Sequence, residues 1–178
     1  MPNFELSEET FNEVLRLSRM YHREAERCQN AKAFFAGCVM IGAAFEAFLL
    51  SFADCYPDEA MNSTAAPKDK GKVKPLIDWS LSNLLAVAKE ESWLPSALST
   101  EEDWDEAKAQ IGDYGEVIKQ IRNLIHPARF ATDMPRKRIT NKYLEYSFEV
   151  IKVANDFLME KINESLREAI ELEEGNST

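Results

Sequence analysis

The chain has 178 residues, 45 % hydrophobic and 29 % charged, with only six glycines and seven prolines. That composition excludes collagen-like and low-complexity chains and supplies enough apolar material for a folded core. The formal net charge of -10 disfavours a protein that coats duplex DNA with a broad basic surface.

The first helix is predicted from Ser7, a good N-cap followed by Glu8 and Glu9, which complement the helix dipole. Phe11, Val14, Leu15, Ser18, Tyr21, Ala25 and Cys28 recur at helical spacing, and the opposite face is charged. His22 falls on that charged face and is read as solvated. A second helix is predicted over 30–55. Its stretch Ala33 to Ala53 is nearly all apolar and long enough to cross a bilayer. Its one charge, Glu46, would cost about 2.5–3.5 kcal/mol inside a membrane. No second span offers that carboxylate a partner. The better expectation is a central bundle helix, with no membrane involved.

Segment 58–72 is polar and reads as a flexible loop. A third helix is expected over 75–93, with Pro75 in its first turn and Leu76, Ile77, Trp79 or Leu81, Leu84, Leu85 and Ala88 as its apolar positions. Ser99 or Thr100 opens the next helical segment, which Gly112 and Gly115 interrupt. Beyond Tyr114 the pattern is strongly periodic up to Pro127. A basic connection over 128–138 leads to a long last helix over 140–172. Its buried side is predicted at Tyr143, Tyr146, Val150, Val153, Phe157, Ile162, Leu166 and Ala169, and 173–178 is expected to be a frayed tail. Strand alternation and Asn-Gly or Asp-Gly turns are lacking. The predicted fold class is all-α: one domain over 1–178, a bundle of about five helices with a long C-terminal helix.

Cys28, Cys38 and Cys55 are odd in number and form no Cys-x-x-Cys pair. They are read as small buried thiols of a reducing cytoplasm, and the acidic N-terminus lacks the apolar stretch of a secretory signal. No metal cluster or cofactor motif is recognised.

The chemistry is expected within Tyr114 to Phe130, YGEVIKQIRNLIHPARF. On a helical wheel Tyr114, Ile118, Ile121 and Ile125 form the apolar centre. Lys119, Arg122 and His126 form a polar ridge beside it, with Arg122 and His126 at i and i+4. An imidazole moves protons near neutral pH, and a guanidinium grips two phosphate oxygens. From Lys119 to Lys142 there are seven positive charges, Arg129 among them, and one negative, in a chain of -10. Charge focused in this way draws in a polyanion. Glu46 is expected to be buried, to face Arg122 and to orient its guanidinium.

An Ala-rich apolar helix with a glutamate (IGAAFEAFLL) followed much later by IRNLIHP resembles the HEPN superfamily of small all-helical domains. The resemblance implies an up-and-down four-helix core and a motif in which an Arg, then a polar residue, precedes a His. Here that is Arg122-Asn123-Leu124-Ile125-His126. Three residues separate Arg122 from His126, one fewer than the family's shortest spacing, and Lys119 stands where six would separate them. Members with the motif are commonly metal-independent endoribonucleases of toxin and defence systems. They act as homodimers, and some pair with a nucleotidyltransferase-type antitoxin. The resemblance implies His126 and Arg122 as catalytic, with Lys119, Asn123 and Arg129 contacting RNA, and no cofactor. The alternative is a non-catalytic helical module for protein binding or dimerisation.

Overall fold

A computed structural model describes residues 4–94 and 139–175. Among these are five α-helices: α1 (Glu8–Asn30), α2 (Phe34–Cys55), α3 (Pro57–Asn62), α4 (Leu81–Glu90) and α5 (Asn141–Gly175). A 3-10 turn spans Leu76–Asp78, and a two-stranded antiparallel hairpin pairs β1 (Lys68–Asp69) with β2 (Lys72–Val73). The fold is an all-α bundle with a long C-terminal helix.

α1 begins where its cap requires. The Ser7 Oγ accepts the Thr10 N–H at 3.2 Å, and Glu8 and Glu9 occupy the first turn. The predicted stripe from Phe11 to Cys28 is buried or half-buried along its length. The helix closes in a Schellman motif: Ala33 N–H bonds Cys28 O at 2.8 Å and Lys32 N–H bonds Gln29 O at 2.9 Å, with Lys32 at φ 57°. That turn uses residues 31–33, so α2 starts at Phe34 rather than at the expected 30.

By length and hydropathy α2 meets the requirements of a membrane span. Ten of its 22 residues are buried, and it packs against α1, α3, the 3-10 turn, α4 and α5. Ile41, Phe45, Leu49 and Phe52 of α2 meet Leu81, Leu84 and Leu85 of α4 and Leu144, Ile151 and Leu158 of α5 in one core. Each such side chain contributes roughly 1.5–3 kcal/mol on burial. Gly37 allows a close approach in this packing. A Cβ there would lie 2.6 Å from Leu144 Cδ2 and 3.4 Å from Cys28 Cβ.

Segment 58–72 is built differently from the expected loop. Pro57 starts α3, Ala60 and Ala66 are buried, and Lys70 (φ 49°) with Gly71 (φ 80°) turns the hairpin. Both turn residues are left-handed, the type I′ geometry that matches strand twist. The Glu90 carboxylate secures the intervening chain by accepting the Thr64 and Ala65 N–H groups at 2.9 and 2.8 Å.

The single helix expected over 75–93 is divided. Trp79 is extended and Ser80 opens α4 with a capping box. Ser80 Oγ accepts from Asn83 N, and Asn83 Oδ1 accepts from Ser80 N. Division turns Ile77 outward to 55 % exposure, against the predicted burial, while Val87 is buried. On α5 the core face is Leu144, Ser147, Val150, Ile151, Ala154 and Leu158. Of the predicted stripe only Val150 is buried. Tyr143, Tyr146, Val153 and Ile162 are half-buried, and Phe157, Leu166 and Ala169 are exposed. The helix continues to Gly175, into the segment expected to fray. The helical segments predicted over 99–127 and the connection over 128–138 lie outside the described residues.

Candidate functional site

Lys119, Arg122, Asn123, His126 and Arg129 lie outside the described residues. Glu46 lies within them, at the middle of α2 and half-buried. Its Oε1 accepts the N–H of Leu81 at 3.0 Å. Leu81 is the first residue of α4, and its N–H is one of the donors a helix start leaves without an intrahelical partner. A carboxylate at this place also meets the positive end of the α4 dipole. The charge at the middle of the apolar helix therefore supports the start of α4. The expected contact with Arg122 falls outside the described residues.

The described residues present a cationic face on α1. Arg16, Arg19, Arg23 and Arg27 recur at three- and four-residue intervals and all are exposed. Arg16 pairs with Glu13 at 2.6 Å and Arg27 with Glu24 at 3.0 Å. Arg19, His22 and Arg23 line a groove of about 550 Å³ between α1, α2 and α5, whose apolar wall includes Leu15, Phe48 and Met159. Ser18 in the same groove is already engaged, donating to Ala44 O at 2.9 Å. The His22 side chain is 44 % exposed, so its sequence reading as solvated holds in part. Its ring stands edge-on to Phe148 at 5.5 Å, and Nε2 lies 3.8 Å from Glu26 Oε1. The arginine spacing is legible in the sequence, but the groove is not, because Phe48 and Met159 come from other helices.

A second cationic place surrounds the hairpin. Lys70, Lys72 and Lys74 border a cleft of about 800 Å³ with Asp69, Asp78 and Met61. The alternating lysines from Lys68 to Lys74 are the signal that the loop reading passed over.

The remaining polar clusters hold the fold. Trp93 Nε1 donates to Glu59 Oε2 at 2.6 Å, and Lys161 Nζ lies 3.3 Å from the same carboxylate. Lys161 also sits over the Tyr56 ring at 4.8 Å. Cys38 is buried, and loss of solvent pushes its thiol up to about 11. Burial likewise pushes Tyr143 up to about 12. Neither group supplies an anion at neutral pH. Cys55 is exposed, contrary to the expectation of three buried thiols. Among the described residues no group of three or more His, Cys, Asp or Glu side chains is placed to hold a metal ion.

No family model, curated protein or solved structure matches this chain.

Proposed function

We propose that the chain is an HEPN-like protein that acts on RNA, as a metal-independent endoribonuclease of a toxin or defence system. The observation that carries the reading is the Arg122-Asn123-Leu124-Ile125-His126 motif. It lies in a segment of seven positive charges and one negative charge within an acidic, all-helical chain.

In this reading the RNA 2′-hydroxyl attacks the adjacent phosphorus and the 5′-oxygen leaves. His126 moves the proton. Arg122, with Lys119, stabilises the charge that grows on the phosphorane oxygens. Asn123 and Arg129 contact the strand or the facing subunit. Glu46, whose Oε1 already holds Leu81 N–H, orients Arg122. A homodimer with facing motifs, a nucleotidyltransferase-type antitoxin partner and a cytoplasmic location belong to the same proposal.

The test is incubation of the purified chain with mixed RNA, with and without chelator, beside His126→Ala. The expected result is cleavage that survives the chelator and disappears in a variant whose helical circular dichroism is unchanged. RNA bound but left intact would reduce the proposal to a binding module. RNA neither bound nor cut would favour the second reading, a protein-binding or dimerisation module. One observation speaks for that second reading: Leu166, Ile170 and Leu172 are 57 %, 56 % and 69 % exposed on α5.

A further inference from the structure

α1 and α5 run antiparallel, as three contacts in succession show. Gln29 bonds Asn141, His22 meets Phe148, and Leu15 and Ser18 line one groove with Asn155 and Met159. At that register the first turn of α1, at Glu8, falls level with Ile162. On the other side the Tyr56 hydroxyl reaches Ser165 at 3.1 Å. From Asn163 to Leu172 every residue of α5 is exposed, and the helix continues to Gly175.

The exposed side of α5 is patterned. Met159, Asn163, Leu166 and Ile170 recur at intervals of four, three and four, the spacing of a coiled-coil seam. All four are exposed. A seam of this kind is stable only when a second surface covers it.

We propose that this seam is covered by the same seam of a second copy, running antiparallel. The sequence of the seam is self-complementary about a two-fold axis between Ile162 and Asn163. Met159 falls opposite Leu166 of the partner subunit, and Asn155, at the groove, falls opposite Ile170 of the partner subunit. The charges beside the seam agree with the same register. On one flank, Arg167 falls between Asp156 of the partner subunit and Glu160 of the partner subunit. The two-fold axis repeats that match, so each chain supplies both signs. A parallel pairing would set Arg167 across from Ile162 of the partner subunit and Ala169 of the partner subunit and lose the match. Asn163 beside the axis is the polar position that fixes register in such seams. None of its residues lies within 119–142, so the seam is tested apart from the RNA chemistry, and it is the contact on which the homodimer proposed above rests.

The test is sedimentation equilibrium on the full chain, with three variants. The wild type is expected to sediment as a dimer. Leu166→Glu with Ile170→Glu, both at exposed sites, is expected to sediment as a monomer with unchanged circular dichroism and thermal midpoint. Arg167→Glu is expected to weaken the dimer by about tenfold or more. Adding Asp156→Lys and Glu160→Lys to it is expected to restore the dimer. Asn163→Cys in a Cys55→Ser background is expected to cross-link two chains under mild oxidation. A monomeric wild type, or a dimer indifferent to the Leu166 and Ile170 substitutions, overturns the proposal.

Discussion

The Oε1 of Glu46 accepts the N–H of Leu81 at 3.0 Å, so the charge at the middle of the most apolar helix holds the first residue of another helix. The bond joins α2 to α4 at a point where α4 has an orphan donor and a positive dipole end. Glu46→Ala leaves that part-buried donor unpaired and is expected to cost about 1–2 kcal/mol. Glu46→Gln keeps an acceptor and loses the charge, so its cost is about 0.3–1 kcal/mol. Urea unfolding of both variants checks the order. Equal stability of Glu46→Ala and wild type would remove the cap.

At Gly37 α2 packs closely against α5. An added methyl would lie 2.6 Å from Leu144 Cδ2, and Leu144 is fully buried with little room to turn. In most helix interiors alanine stabilises relative to glycine by up to about 1 kcal/mol. Here overpacking wins, and Gly37→Ala is expected to destabilise by about 1–3 kcal/mol. Pairing it with Leu144→Ala tests the cause, since the smaller side chain opens the space. The double variant is then expected to lose less than the sum of the two single changes.

What the sequence disclosed follows from what is local. α1 was readable because Ser7 carries the cap and the stripe repeats over about five turns. The ends of α1 and α4 were not, because the left-handed residues that close them are Lys32 and Ser92 rather than glycine. The break at Trp79 and Ser80 rests on Ser80 and Asn83 bonding each other. That pair looks no different from polar residues inside a longer helix. On α5 the aromatic positions drew the predicted stripe to one side. The core instead meets Leu144, Ile151, Ala154 and Leu158, which lie beside it on the wheel. Glu46 stood out in the sequence as a charge needing a partner. The described partner is a backbone N–H, which carries no signature of residue type. The Arg122 to His126 ridge is legible because its members are neighbours on one helical pattern, and its surroundings lie outside the described residues.

Glu90 gives the fold an acid-sensitive latch. The Thr64 side chain first, then the Thr64 backbone N–H, with help from Ser63 and Ala65, holds its carboxyl down at about 2, below the ordinary 4.5. A folded-state value below the unfolded one contributes stability above the unfolded pKa. That contribution is present above pH about 4.5 and fades as pH falls toward 2. Asp54 acts with the opposite sign. Burial raises it despite the 2.7 Å bond from Leu6 N–H, so protonation near its titration favours the folded form. Glu90→Gln is expected to flatten the loss of stability between pH 4.5 and 2, measured as urea midpoints across that range. Carboxyl NMR is expected to find Glu90 titrating well below the other glutamates; a value near 4.5 would contradict the latch.

The three thiols differ in how they meet solvent, and their reactivity is expected to rank accordingly. Cys38 is buried in the core on α2, beside Ser147 of α5, and its thiol is pushed up to about 11. At pH 8 only about one such thiol in a thousand is ionised, before access is considered. Cys28 is half-buried and raised more mildly, first by burial and then by Glu24. Cys55 is exposed at the end of α2, although partial burial and neighbouring Asp54 raise its pKa as well. Timed alkylation followed by mass spectrometry is expected to modify Cys55 first and Cys38 last. Cys38 then reports opening of the core, so its labelling is expected to accelerate in Gly37→Ala while Cys55 labelling stays unchanged. Cys38 labelled as fast as Cys55 in the wild type would mean that the core does not close around it as the structure shows.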